Sequence, residues 1–181
     1  LALPAVDPRP SRTAVEELIA LHADGLRTLI HVLKLIDCVE PRGIEPRGRL
    51  DRAEFWRHSL AVGCAASQIA QVLGTTINPL EALAAGLIHD IGKPGFDAVL
   101  PKSYARVLWR YESTDADISD IEKALLGIDH TAAGRRLAER WGLPQRLTDC
   151  IWLHHHFPEA LPASIAAGRH VQIIQLADTI A

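Results

Sequence analysis

Apolar residues recur along this chain three and four positions apart with polar residues between them, a helical spacing rather than the alternation of strands. Thr13-Ala14-Val15-Glu16 has the form of a capping box ahead of Val15, Leu18 and Ile19, with Gly25 as the stop. A second helix is predicted from Leu26 through Leu29, Ile30, Leu33 and Ile36 to Cys38. Residues 40–48 repeat Glu-Pro-Arg-Gly, a unit too short for a solenoid. They read as a loop that separates an N-terminal segment, residues 1–48, from a main domain over 49–181. Asp51, with Glu54 three positions on, is the clearest helix start, and that helix should reach Leu73 and stop at Gly74. Asn78-Pro79 opens the next one, whose Leu80, Leu83, Ala84, Leu87 and Ile88 lead into His89-Asp90, ahead of Gly92, Pro94 and Gly95.

Pro101 to Tyr111 is amphipathic, with Tyr104, Val107 and Leu108 as its inner face. Glu112 to Asp120 reads as a polar loop with solvated aspartates, followed by a short helix over Ile121, Leu125 and Leu126 that closes at Gly127. Asp129-His130 opens a helix ending at Trp141-Gly142. Pro144 opens another, which carries Leu147, Ile151 and Leu153 into His154-His155-His156. After a break over Pro158 to Pro162, Ile165 to Ala181 forms the last helix, with Asp178 among Val171, Ile174, Leu176 and Ala177. The expected architecture is therefore an all-α, multi-helix bundle.

Composition narrows the function classes. The chain has 181 residues, 48% of them hydrophobic and 23% charged, enough to bury a substantial core. A net charge of −3 gives no basic footprint for nucleic acid, and no apolar run approaches membrane-spanning length. No nucleic-acid or membrane partner is expected. The three cysteines, Cys38, Cys64 and Cys150, are isolated and read as buried small hydrophobes in a reducing, cytoplasmic setting. The chain starts at Leu1, contains no methionine and stops inside a helical run, as a piece of a longer protein with an incomplete N-terminal lobe would.

Helical periodicity places His58, His89, Asp90, His130, His154, His155 and Asp178 beside the core. Each buried polar group without a partner costs about 1–3 kcal/mol. Convergence on one or two metal ions would offset that cost, and a mixed imidazole and carboxylate set suits Fe, Mn, Zn, Ni or Co. His22 and His31 have no such company and read as ordinary helix residues.

The phrases Phe55-Trp56-Arg57-His58-Ser59, Gly86-Leu87-Ile88-His89-Asp90-Ile91-Gly92-Lys93 and Leu126-Gly127-Ile128-Asp129-His130, with Leu137-Ala138-Glu139-Arg140-Trp141-Gly142-Leu143-Pro144, resemble the HD superfamily of metal-dependent phosphohydrolases. The closer likeness is to the HDOD (HD-related output) domains of bacterial signalling proteins. The resemblance covers roughly residues 50–158, and Leu176-Ala177-Asp178 falls where the superfamily's last metal-binding aspartate belongs. It implies that His58, His89, Asp90 and Asp178 hold one metal. It also implies that His130, His154 and His155 serve a second, that Asp90 bridges the two, and that Lys93 contacts a substrate phosphate. Asp90 and Lys93 are thus the implied catalytic residues. His156 stands where an acidic residue is common, and His170 has no counterpart and reads as surface. The Gly-Tyr-Pro motif of the related cyclic-dinucleotide phosphodiesterases is replaced by Phe157-Pro158-Glu159-Ala160-Leu161-Pro162, which argues against that substrate.

Two functions compete at this stage. One is a metal-dependent phosphohydrolase acting on a phosphate ester or nucleotide. The other is a non-catalytic regulatory module that binds a signalling partner protein or a small ligand. A plain helical scaffold with incidental histidines is the third and weakest.

Overall fold

The computed structural model describes residues 24, 25, 27–36, 50–74, 76–156 and 168–181, and no strand occurs among them. Residues 27–36 are helical (α1). The helices that follow are α2 (Arg52–Val72), α3 (Pro79–Ile88), α4 (Gly92–Val99), α5 (Pro101–Glu112), α6 (Ile118–Leu126), α7 (His130–Arg140), α8 (Gln145–Leu153) and α9 (Gly168–Ile180). Among the described residues no helix is long and apolar enough to cross a membrane. The capping box at Thr13, the repeat at 40–48 and the start of the last helix at Ile165 lie outside the described residues.

Side chains at the starts satisfy the backbone donors that a helix leaves free. Asp51 accepts from the Glu54 N–H, Asn78 from Leu80, and Asp129 from Ala132. At the other ends, Gly74, Gly127 and Gly142 take positive φ. Gly25, predicted as a stop, is itself helical, and a Cβ there would fall 2.6 Å from the Asn78 side chain. Contact, not chain termination, accounts for this glycine.

Two further departures have physical causes. Gly92, Pro94 and Gly95 do not end the helical structure but open α4. Pro94 lies in the first turn of α4, where its missing N–H is not needed. Gly92 is there for close approach, since a Cβ would sit 2.0 Å from the His130 carbonyl oxygen. The polar stretch after Glu112 is shorter than predicted, because Asp117 accepts from the Ser119 N–H and starts α6 at Ile118. Of the cysteines, Cys150 is buried as expected but Cys64 is exposed, on the outer face of α2, and Cys38 lies outside the described residues.

Helix α2 packs on α3 and α9, α7 on α8 and α4, and α5 on α6. The α2–α3 crossing is glycine on glycine, for a Cβ at Gly86 would lie 2.5 Å from the Gly63 Cα. That close approach brings His58, five residues before Gly63, and His89, three after Gly86, to 5.4 Å between ring centroids. A main apolar core joins α2, α3, α7, α8 and α9 through residues such as Val62, Ile88, Leu147, Ile151 and Ile174. A smaller one, around Phe96, Tyr104, Val107 and Ile121, belongs to α4, α5 and α6. The polar centre described next draws residues from both sides.

Candidate metal centre

His89 caps the C-terminus of α3 and Asp90 follows it in the turn before α4. Lys93 lies in the first turn of α4, His130 begins α7, and His154 caps α8 with His155 next to it. His58 comes from α2 and Asp178 from α9. The seven predicted metal-ligating residues are brought together, in two groups within each of which the ligand atoms lie within 4.8 Å of one another: Asp90, His130, His154 and His155, and His58, His89 and Asp178.

In the first group Oδ1 of Asp90 is 3.2 Å from His130 Nε2 and 3.3 Å from His154 Nε2, and His155 Nε2 is 3.2 Å from His130 Nε2. In the second, Asp178 Oδ1 is 3.1 Å from His58 Nε2 and 3.5 Å from His89 Nε2. Asp90 links the groups, because its other oxygen, Oδ2, is 3.5 Å from His89 Nε2. That same Oδ2 accepts from Lys93 Nζ at 2.5 Å.

The buried rings are held from behind. His89 Nδ1 lies 2.7 Å from the Gly86 carbonyl and His154 Nδ1 2.9 Å from the Ile151 carbonyl. His130 Nδ1 lies 2.6 Å from Glu122 Oε2. Carbonyl and carboxylate oxygens can only accept, so in each ring Nδ1 carries the proton and Nε2 faces the centre. Yet Nε2 of His89, Nε2 of His154 and Oδ1 of Asp90 are buried without a hydrogen bond.

These features fit a cation. Donors about 2.0–2.1 Å from a common ion are separated by roughly 3.0 Å in an octahedron and 3.4 Å in a tetrahedron. The shorter spacings in the two groups, 3.1 to 3.5 Å, lie close to those values. A buried His/Asp cluster of this kind could bind a metal.

The charges already lean on one another. Burial opposes ionisation of Asp90, but Lys93, His89 and His130 outweigh it and hold the carboxyl well below the usual range. Burial likewise opposes protonation of His130, and Asp90 and Glu122 overcome it, pushing the ring up to about 9. For His155, burial and then the neighbouring His154 and His130 push the pKa down to about 4. Burial raises Asp178, and His89 more than offsets it, to about 2. An open cleft of about 470 Å³ between the end of α8 and α9, lined in part by His154, His155, Gln175, Asp178 and Thr179, gives access from solvent.

Glu122 escaped the sequence reading, and Tyr104 was read only as part of the inner face of its helix. Glu122 is fully buried on α6 and behind His130, and the Tyr104 hydroxyl donates to it at 3.2 Å. The signal was present: Glu122 falls on the apolar stripe of its helix, four residues from Ile118 and Leu126. His170, expected at the surface, is partly buried instead, 3.9 Å from Glu81, which also pairs with Arg146. It forms a separate cluster where α9 meets α3 and α8. His156 and His31 are exposed, and His22 lies outside the described residues.

The family model of the HDOD domain matches residues 12–157. An HDOD domain protein of unknown function from Geobacter sulfurreducens is similar at a TM-score of 0.69 and 25% identity, over 96% of this chain and 67% of that one. The MmoQ response regulator from Methylococcus capsulatus strain Bath is similar at a TM-score of 0.63 and 27% identity, over 76% of this chain and 53% of that one. Among curated proteins, an uncharacterized protein of Treponema pallidum (strain Nichols) is 23% identical over 110 residues, 61% of this chain but 21% of its own length. The chain therefore spans about a fifth of that curated relative and about half of the MmoQ structure. With the family model matched over most of its length and a shared all-helical fold, the chain belongs to the HDOD domain family.

Proposed function

We propose that this chain binds one or two divalent transition metal ions in its His/Asp centre and hydrolyses a phosphate ester, nucleotides included, as part of a bacterial signalling protein. One observation carries the reading. His89, His130 and His154 are buried, each is anchored through Nδ1, and each turns Nε2 toward an oxygen of Asp90, at 3.5, 3.2 and 3.3 Å. His155 completes one ligand set, and His58 and Asp178 complete the other. Fe, Mn, Zn, Ni and Co all suit such donors.

The chemistry that such ions supply when bound is Lewis acidity toward phosphoryl oxygens and activation of water near neutral pH. The protein does the rest. Asp90 offers one oxygen to each group, and Lys93 keeps it ionised at 2.5 Å. Lys93 Nζ is then the cation beside Asp90 for an incoming phosphate oxygen. His155, with its pKa pushed to about 4, is neutral at pH 7 and free to act as a ligand or proton acceptor at the mouth of the cleft.

A second reading has its own support. Lys93 is already paired with Asp90, and the MmoQ protein that the chain resembles is a response regulator. On that reading the centre binds metal without turnover, and the domain passes a signal to a partner protein or responds to a small ligand.

The test is hydrolysis of p-nitrophenyl phosphate and bis(p-nitrophenyl) phosphate by protein purified without chelator. His89→Ala and Asp90→Ala should lower any true activity by at least about a hundredfold, since metal assistance supplies several kcal/mol and each 1.36 kcal/mol is a factor of ten. Activity that survives both changes belongs to a contaminant. Full metal occupancy with no turnover on either ester favours the regulatory module.

A further inference from the structure

Glu122 is buried completely, and its carboxylate is taken up by two neighbours, His130 and Tyr104. Oε2 accepts from the His130 backbone N–H at 2.7 Å and from His130 Nδ1 at 2.6 Å. Oε1 accepts from the Tyr104 hydroxyl at 3.2 Å. An unpaired carboxylate in such a place would cost several kcal/mol. The three donors offset that cost, and so does the N-terminus of α7, whose dipole favours a negative charge.

Gripping the backbone and the ring of His130 with one oxygen fixes both at once. The Nδ1 proton cannot migrate, and Nε2 stays aimed at Asp90 Oδ1 and His155 Nε2. The anchors of His89 and His154 are backbone carbonyls, whereas His130 alone of the three is held by a charged side chain. A hydrogen bond to an ionised acceptor is roughly twice as strong as one between neutral groups, and it makes the ring a better donor to an ion.

We propose that Glu122, supported by Tyr104, is the positioning residue that sets the metal affinity of the Asp90–His130–His154–His155 group independently of the His58–His89–Asp178 group. This rests on the metal-binding reading above. Glu122 touches neither the ion nor a substrate and acts through His130. Its direct reach is confined to one group, because its hydrogen bonds run to His130 and Tyr104 and not to His58, His89 or Asp178, and the two groups meet only through Asp90.

The experiment is competitive titration of the full chain with Zn(II) and Co(II), wild type against Glu122→Gln. The change keeps the shape of the side chain and removes its charge. One metal equivalent should weaken roughly 10–100-fold, the usual cost of losing a partner behind a ligand, while the other is unchanged. The visible spectrum of the Co(II) in the weakened equivalent should shift, which a purely structural contribution would not produce. Tyr104→Phe leaves the carboxylate in place and should weaken the same equivalent less, so it keeps the inference testable if Glu122→Gln fails to fold.

Equal weakening of both equivalents, together with a lower Tm of the metal-free variant, means a structural role only and overturns the proposal. Unchanged affinities in both variants overturn it as well, while leaving the metal reading intact. No uptake by the wild type overturns the metal reading, and this inference with it.

Discussion

Cys64 and Cys150 carry the same thiol in opposite surroundings. Cys64 is exposed on α2, while Cys150 is fully buried on α8, where burial and then the nearby Asp149 push its thiol up. Native protein treated with iodoacetamide should be alkylated at Cys64 within minutes and at Cys150 only after unfolding, as peptide mass spectrometry would show. Alkylation of Cys150 at the same rate would contradict the packing of α8. A second residue-level test concerns Arg52, whose Nη2 lies 2.8 Å from Asp97 Oδ2 and ties the start of α2 to α4. Asp97 has 4% of its side chain exposed, so Arg52→Ala would leave a buried carboxylate without its ion pair, its other oxygen held by the Leu50 N–H at 3.4 Å. A loss of about 3 kcal/mol, the low end for breaking a buried pair, is expected in urea unfolding. A loss under about 1 kcal/mol would mean that the pair behaves as a surface one.

At the level of elements, helix starts are local and can be tested locally. Burial opposes ionisation of Asp117, and the hydrogen bonds from Ser119, with His155 and the Asp120 N–H, together outweigh it, so the carboxyl sits lower than usual in the folded chain. The cap of α6 therefore contributes stability above about pH 4, the ordinary aspartate range, and loses it as the pH falls through the lower folded value. Asp117→Ala should cost about 1 kcal/mol at pH 7, and Asp117→Asn, an equally good cap, should remove the pH dependence without that cost. The starts at Asp51-Glu54 and Asn78-Pro79 were legible in the sequence because each is written in two to four adjacent residues, whereas the Asp117 cap was read as part of a solvated loop. Helix α4 was not legible, because Gly92 and Gly95 look like breakers until the neighbour is known. Gly92 is small so that α7 can approach, a constraint that sits thirty-eight residues away at His130. Gly92→Ala should accordingly destabilise by roughly 3 kcal/mol or more, at the upper end for overpacking, and lower Tm by several degrees. The ligand-type residues were visible by their rarity on apolar faces and through the resemblance they carry. Glu122 was missed because an acidic residue on a short helix reads as solvated unless the partner that buries it, His130, is known to lie behind it.

Over the whole molecule, the polar centre lies where the two apolar cores meet. The α2, α3, α7, α8 and α9 side supplies the imidazoles and Asp178, and α5 and α6 supply the Tyr104–Glu122 support. The two groups differ in exposure. In the first, Asp90, His130 and His154 are at most 3% exposed and His155 alone is exposed, whereas in the second His58 is 35% and Asp178 22% exposed and His89 alone is buried. Graded chelation should therefore remove metal in two steps, with the His58–His89–Asp178 equivalent first, and His58→Ala should abolish the fast step alone. A single step for both would contradict separate groups. The account as a whole stands on metal occupancy. The most direct measurement is the metal content per chain, by mass spectrometry, of tag-free protein purified without chelator. The arrangement predicts close to two equivalents of Fe, Mn, Zn, Ni or Co, falling when His89 or Asp90 is replaced by alanine. Content near zero, with no uptake when these metals are added back, would contradict it.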